Sequence, residues 1–226
     1  KGDKNLSTSA FFLRTDDEAS GKTDYAFGGN IDYPNDLIDC SVGWRQVGDD
    51  FNPALGFVPR QGIRRLSPGF AFKPRPGRFG IRQLEFQVQP VWVWDLHNVL
   101  QTWDLDASPF TAEFESGDQV EFKVMPQYER LAEPFEIVEG VEIPAGVYRM
   151  TRWGFQVETA NKRRLVAQAE YSWGGFYTGT RRDVQVSVTA KPNTHIYASL
   201  QYERNDVSLS EGDFSVHVAT LSADYN

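Results

Sequence analysis

Apolar and polar residues alternate along many short segments of this sequence, and this alternation restricts its fold more than any other feature. In the clearest segment, one set of alternate positions is apolar throughout: Leu84, Phe86, Val88, Pro90, Trp92 and Trp94. Successive side chains of a β-strand point to opposite faces, so a period of two predicts a strand with one apolar face. The same alternation recurs within 120–124, 165–173, 184–190 and 196–202, with almost no helical periodicity. The sequence therefore predicts an all-β protein.

The breaks between these segments are of two kinds, and the two kinds alternate along the chain. Tight turns bearing proline or asparagine are predicted at 34–36, 74–77, 107–109, 159–162 and 191–193. The other connections, most of them longer, are predicted at 15–23, 47–65, 96–98, 129–145, 174–181 and 205–213. If about twelve strands run antiparallel in chain order, all the tight turns lie at one edge of the sheet and the longer loops at the other.

This asymmetry is typical of an antiparallel up-and-down transmembrane β-barrel, which has short turns on one side of the membrane and longer loops on the other. A soluble β-sandwich or jelly roll also alternates along its strands, and it is the alternative fold. The two folds differ in the polar face, because a barrel lumen accepts large charged side chains. Six charged residues at alternate positions are of this kind: Glu85, Glu121, Lys123, Arg152, Glu158 and Glu170.

Length and charge narrow the classes of function. The 226 residues are compatible with a single domain over 1–226. Acidic residues outnumber basic ones by 31 to 23, which argues against a nucleic-acid partner because phosphate binding needs clustered basic surface. No apolar run approaches the roughly 20 residues of a membrane-spanning helix. The absence of such a run does not argue against a membrane β-barrel. Only every second residue of a barrel strand needs to be apolar, so the mean hydropathy of a barrel can be as low as that of a soluble protein.

The longest predicted loop of the first half, 49–65, combines prolines, aromatic residues and arginines, and we expect an ordered, irregular loop there. Its candidate binding residues are Phe51, Asn52, Phe57, Arg60, Arg64 and Arg65. The predicted loop 129–145 is acidic and supplies three further candidates, Glu129, Glu133 and Glu136. Both loops are expected at the same edge of the sheet. The hypothesis is that they interact and constrict the mouth of a pore.

Four segments, 51–65, 115–122, 128–148 and 201–214, together resemble an uncharacterised family of bacterial outer-membrane proteins, a domain of unknown function. Its most specific matching pieces are Phe51-Asn52-Pro53 with Gly56-Phe57 and Arg60, and Ile143-Pro144-Ala145-Gly146 before Tyr148. In that family a large β-barrel usually follows a carbohydrate-binding module of the family-nine type. The resemblance implies a barrel in the cell outer membrane, in contact with its lipid, and a link to glycans.

This chain departs from that family at both ends. No stretch resembles the carbohydrate-binding module, which would precede Lys1, and the chain stops where family members run on into further strands. We therefore expect these strands to be part of a larger barrel.

The residue patterns predict no catalytic site, metal site or cofactor. Asp104 with Asp106, and Glu113 with Glu115, have the spacing of paired carboxylates, but an acidic barrel wall produces the same spacing. The sequence thus favours a passive channel or a surface protein that binds small hydrophilic solutes, including glycans. A carbohydrate-processing protein and a structural anchor for a surface domain are the alternatives.

Overall fold

The computed structural model describes residues 5–17, 21–53, 56–192 and 195–225, and all regular structure in this part of the chain is β. No helix that could cross a membrane occurs within these ranges. The strands are β1 (Ser7–Asp17), β2 (Lys22–Tyr33), β3 (Ile38–Val47), β4 (Ile63–Phe72), β5 (Ile81–Asp95), β6 (Leu100–Phe114), β7 (Gln119–Leu131), β8 (Phe135–Val138), β9 (Val141–Ile143), β10 (Gly146–Glu158), β11 (Leu165–Phe176), β12 (Gly179–Ala190), β13 (Ile196–Leu209) and β14 (Gly212–Tyr225).

Twelve of these strands form one antiparallel sheet in the order β1-β2-β3-β4-β5-β6-β7-β10-β11-β12-β13-β14. The two short strands β8 and β9 pair only with each other, as a separate hairpin between β7 and β10. The all-β prediction and the count of about twelve strands are confirmed for the main sheet. Within the described chain β1 and β14 pair on one side only, so the sheet is open.

The connections fall at two edges of the sheet. One edge, called the turn edge, carries 34–37, 73–80, 115–118, 159–164 and 191–195. The other, called the loop edge, carries 18–21, 48–62, 96–99, 132–145, 177–178 and 210–211. Four predicted tight turns lie at the turn edge, although Asn193 falls outside the described residues, as do residues 18–20 of the predicted connection 15–23.

Three predicted connections are wrong. Ala107-Ser108-Pro109 lies inside β6, where the pairing with β7 skips from Ala107 to Phe110, so the proline occupies a bulge and the chain does not turn. The predicted loops 174–181 and 205–213 are mostly strand, because two-residue turns at 177–178 and 210–211 let pairing continue almost to their ends. Only 48–62 and 132–145 are long at the loop edge.

The register divides the sheet into an apolar and a polar face. Directly paired residues share a face, and the pairs Leu66 with Trp92 and Trp92 with Trp103 continue the apolar face across β4, β5 and β6. All six tryptophans lie on this apolar face: Trp44, Trp92, Trp94, Trp103, Trp153 and Trp173. Five of the six lie within three residues of a strand end at the loop edge.

The exposure of the two faces is the reverse of that in a water-soluble sheet. On β10 the apolar face is open, with Val147 50%, Trp153 39% and Phe155 45% exposed. On the opposite face of that strand Met150 is buried and the Arg152 side chain is only 17% exposed. The same contrast recurs on β13, where Leu200 is 51% exposed and Val207 is buried. Large apolar side chains are thus left open while charged ones are crowded together.

Candidate functional site

The polar face is the candidate functional site, and its strands bring together charges that are distant in the sequence. The six charged residues named from the sequence lie on this face, since they occupy paired or alternate positions of β5, β7, β10 and β11, joined through Thr111 of β6. Near the loop edge, two elements fold over this face. They are the loop 48–62 and the hairpin β8–β9.

Phe51 holds the loop 48–62 against the polar face. Its side chain is 2% exposed and packs in a small cluster with Ala26, Val47 and Ile63, with Val93 beside it. The four residues under Phe51 belong to β2, β3, β4 and β5, and each points to the polar face. The loop therefore folds inward over the sheet rather than away from it.

Backbone and side-chain hydrogen bonds fix both ends of this loop. The backbone N–H of Asp50 donates to Asp24 Oδ2 at 2.7 Å, and the Asp50 carboxylate accepts from Lys22 Nζ at 2.6 Å. Gln61 Nε2 donates to the Phe51 carbonyl at 2.7 Å and so closes the loop across its base. The prediction of an ordered, irregular loop is confirmed for residues 48–53 and 56–62.

The other predicted residues within this loop have different surroundings. The backbone N–H of Asn52 donates to Thr15 Oγ1 at 3.3 Å, which ties the loop to β1. Phe57 is 87% exposed and touches no apolar cluster. Arg60 donates from Nη1 to Thr102 Oγ1 at 3.2 Å, on the polar face of β6. The loop thus contains one buried phenylalanine, Phe51, and one exposed phenylalanine, Phe57, whose substitutions can be compared.

Arg64 and Arg65 were predicted to be loop residues, but both lie on strand β4. The strand begins at Ile63 because Val47 and Gln46 of β3 pair with Ile63 and Arg64. Adjacent strand residues point to opposite faces, so only Arg65 reaches the polar face. Arg64 lies on the apolar face and donates to Gln46 Oε1 at 2.9 Å and to Asn98 Oδ1 at 2.5 Å.

The hairpin β8–β9 is the second element over the polar face. Ile143 is fully buried and Val141 nearly so, and both pack against Val207 and Leu209 of β13. Tyr148 of β10 packs on the same cluster and donates its hydroxyl to the Pro144 carbonyl at 2.6 Å. The predicted loop 129–145 therefore folds inward through its apolar residues, not through its glutamates.

Glu129 also lies on a strand, near the end of β7, instead of in the predicted loop. It accepts a hydrogen bond of 2.8 Å from the hydroxyl of Tyr177, in the turn between β11 and β12. Burial and this bond to Glu129 raise the pKa of Tyr177, so the phenol stays protonated and donates at neutral pH. Glu133 is exposed, and Glu136 accepts from the backbone N–H of Gly140 within the hairpin.

No ion pair joins the arginines of the first loop region to the three glutamates within the described residues. Arg60 and Arg64 donate to neutral side chains, and Glu129 is engaged by Tyr177. The hypothesis that the two loops meet and constrict a pore stays a prediction.

One cluster on the polar face is a charged network across four strands, β10 to β13. Arg152 of β10 and Arg181 of β12 both bind Asp183, the latter at 2.7 Å. Arg152 also donates to Ser172 at 2.6 Å, and Arg181 donates to Asn205 Oδ1 at 2.9 Å. The side chains of Arg152 and Asp183 are each 17% exposed, so solvent screens the pair only in part.

A second arginine pair on the polar face has no such partner. Arg45 of β3 and Arg65 of β4 are directly opposite in the register. The Nε atom of each is buried without a hydrogen-bond partner, and neither forms an ion pair within the described chain. They line a cavity of about 230 Å³ together with Ser9, Asn30 and Ser67.

Both arginine clusters depend on strand register. Alternation alone placed Arg152 on the polar face but gave no reason to join Arg181, Asp183 or Arg45 to it. The signal that would find them is the pairing across tight turns, for example Gly174 with Arg181 across 177–178. The sequence predicts a longer loop at this turn, so the residue pairs across it could not be derived from the sequence.

Groups for catalysis or metal binding are sparse. Asp104 and Asp106 share the polar face of β6, as their spacing predicts, whereas Glu115 lies in the turn after that strand. Among the described residues no group of three or more His, Cys, Asp or Glu side chains is arranged to hold a metal ion.

A scan against protein-family models finds no match for this chain, and a search of curated proteins finds no relative. The resemblance to the outer-membrane family therefore stays a prediction, carried by the residues quoted for it.

Proposed function

We propose that this chain forms the wall, whole or in part, of an outer-membrane β-barrel that passes or binds small hydrophilic solutes. The polar face lines the water-filled interior, and the apolar face contacts lipid. The loop 48–62 and the hairpin β8–β9 stand at the mouth and select what enters. Solutes of this kind include glycans.

The inverted exposure of the two faces carries the proposal. A sheet in water buries its apolar face, because burying apolar surface is the main favourable term in folding. Here Phe155 and Leu200 remain about half exposed while Arg152 and Asp183 are crowded. Exposed apolar side chains are unfavourable in water but favourable in lipid. In a membrane the apolar face would contact lipid, and the polar face would line water.

The dimensions of the apolar face support a membrane location. On β5 the apolar face runs from Leu84 to Trp94, ten residue steps or about 33 Å at the usual strand rise. Strands of membrane barrels tilt by roughly 40°, so this run spans about 25 Å of membrane, the height of a barrel's apolar band. The tryptophans near the loop edge then occupy the level of an interfacial aromatic girdle.

The edge strands support closure into a barrel. β1 and β14 run antiparallel to one another, because the sheet holds an even number of strands in alternating directions. Each also carries apolar residues on the otherwise polar face, Phe11 and Leu13 on β1 and Val216 and Val218 on β14. Pairing these edges, directly or through further strands, satisfies their backbone groups, as lipid requires.

Tryptophan quenching tests the membrane part of the proposal. A variant keeping Trp92 as its only tryptophan is reconstituted in vesicles of brominated lipid. A matched variant carries its only tryptophan at Gln87→Trp, on the polar face of the same strand. We expect lipid bromine to quench Trp92 and aqueous iodide to quench the second variant. Iodide quenching of Trp92, or a protein that stays dispersed without detergent, would refute the membrane location.

Vesicle swelling tests the transport part. Vesicles containing the protein are placed in isotonic solutions of sugars of increasing size, and the swelling rate is followed by light scattering. A rate that falls steadily with solute size supports a channel. Lipid quenching without any swelling would instead favour the alternative role of a structural membrane anchor.

A further inference from the structure

The pair Arg45 and Arg65 is unfavourable as it stands in the protein alone. Side chains of directly opposite residues begin about 5 Å apart, and like charges in this arrangement destabilise a sheet. Arginine remains charged at any physiological pH, so the repulsion is not relieved by losing a proton. Each guanidinium also has a buried Nε without an acceptor. Arg152 shares this feature but forms an ion pair with Asp183, whereas Arg45 and Arg65 form none with the described residues. Both facts point to a missing negative partner.

Neither arginine forms an ion pair with a carboxylate of the described residues, although two acidic residues lie near Arg65. Asp95 is the diagonal neighbour of Arg65 in the register, since Arg65 pairs with Val93 and Ile63 pairs with Asp95. Its two carboxylate oxygens are already taken by the backbone N–H groups of His97 and Val99 and by Gln101 Nε2. Asp104, one strand further away on β6, is close enough to interact electrostatically with Arg65 but forms no ion pair with it.

The space beside the two arginines has the size and lining of an anion site. The cavity of about 230 Å³ holds an oxyanion with several waters, since each water takes about 30 Å³ in the liquid. Ser9 and Asn30 supply hydroxyl and amide donors on its walls, while the Ser67 hydroxyl donates to the Gly43 carbonyl at 3.4 Å. Gly43, on its wall, keeps this space open, because a Cβ there would lie 2.7 Å from Asn30 Oδ1 and 2.8 Å from Ser67 Oγ.

We infer that Arg45 and Arg65 form a binding site for an oxyanion, a carboxylate, sulfate or phosphate group carried by the solute that the polar face handles. Two guanidinium forks offer paired N–H donors that match the oxygens of such groups. Phe51 packs near Val47, two residues along β3 from Arg45, and near Val93, which pairs with Arg65, so the loop 48–62 lies beside the site on its loop-edge side. This inference rests on the proposed function for the identity of the ligand as a solute.

Calorimetric titration of the full chain in detergent micelles tests the site without needing an open pore. The probes are inorganic sulfate, inorganic phosphate, glucuronate as a sugar acid, and glucose as the neutral sugar of the same size. We expect the oxyanions to bind and glucose not to bind. Arg45→Gln and Arg65→Gln should each weaken oxyanion binding about tenfold or more. Tighter binding of glucuronate than of sulfate would assign the site to sugar acids, and the reverse order to free oxyanions.

Arg64→Gln is the matched control, because Arg64 is the next residue but lies on the apolar face. Its affinity for each probe should equal that of the unmodified protein. Equal affinities in all four proteins, or no oxyanion binding in any, would overturn the inference. Binding in micelles without vesicle swelling refutes the proposed transport and leaves the site in place. Vesicle swelling without oxyanion binding in micelles would support the proposed transport and refute the anion site.

Discussion

The two halves of the polar face carry similar arginine pairs in opposite electrostatic situations. In the half formed by β10 to β13, Arg152 and Arg181 share Asp183 and are further held by Ser172 and Asn205. In the half formed by β1 to β4, Arg45 and Arg65 face each other, and neither forms an ion pair with a carboxylate of the described residues. An inward-folded element covers each half, the hairpin β8–β9 over one and the loop 48–62 over the other.

The charges of one cluster stabilise the fold, whereas those of the other are available to bind a ligand. A crowded pair of positive charges is stable when a carboxylate joins them, and Asp183 does this within the protein. The pair without a carboxylate has its donors free. Of the two similar clusters, the first therefore holds the sheet together and the second is the better candidate for binding.

The largest expected effect comes from removing Asp183. The variant Asp183→Asn leaves Arg152 and Arg181 crowded without their shared anion. We expect a loss of about 2–3 kcal/mol in the free energy of unfolding, below the roughly 3–5 of a completely buried pair because some exposure remains. Denaturant titration in detergent measures it.

Asp206→Asn is the control for that variant. Asp206 pairs with Arg204, but both side chains are at least 40% exposed, so its loss should cost well under about 1 kcal/mol. Equal losses in the two variants would show that the network around Asp183 has no special structural role.

The next largest effect concerns Phe51, which holds the loop 48–62 against the polar face beside the unpaired arginines. Phe51→Ala removes an almost fully buried side chain, and we expect the docking of the loop 48–62 to weaken by about 1.5–3 kcal/mol. Limited proteolysis should then cut this loop faster. Phe57 lies in the same loop but is 87% exposed, so the protease should cut the Phe57→Ala variant at the same rate as the unmodified protein. Similar rates in all three proteins would mean that Phe51 does not hold the loop.

A smaller effect, of opposite sign, is expected in the unpaired half. Arg65→Gln removes the like-charge contact with Arg45, so without added anions the protein should gain about 0.2–1 kcal/mol in stability. At the same low concentration, sulfate should stabilise the unmodified protein more than this variant. Thermal unfolding with and without sulfate measures both. A destabilised variant would show that Arg65 has a structural partner after all.

The smallest effect lies at the turn edge, between the two halves. Asp118 accepts from Ser116, the backbone N–H of Ala160 and Arg163, and these bonds hold its pKa below the ordinary 3.8. A lowered pKa contributes stability that is fully present above the ordinary value and is lost as the pH falls through the lowered folded-state pKa. Asp118→Asn should therefore lower the unfolding temperature slightly at pH 7, and less at an acidic pH where Asp118 is protonated in the folded state as well. An equal decrease at both pH values would contradict this role of the charge.

The periodicity of the chain was sufficient to predict strands and faces. Two-residue alternation is a local property, so the apolar face of β5 from Leu84 to Trp94 and the shared face of Glu121, Lys123 and Arg152 are confirmed by the register. The sequence did less well where the chain turns. The sequence around Pro109 predicts a turn, but a bulge accommodates this proline within β6, and the turn at 177–178 is shorter than its glycine-rich surroundings predict.

The sequence alone therefore determined that this is an all-β chain of about twelve main strands with one apolar and one polar face. Only the tertiary structure decided which charges meet. Arg45 and Arg65 are twenty residues apart, as are Arg152 and Ser172, and their proximity depends on the register across each connection. A shift of one residue there would turn a side chain to the other face, as the opposite placements of Arg64 and Arg65 show. Local pattern sets which residues can face each other, and long-range pairing selects those that do.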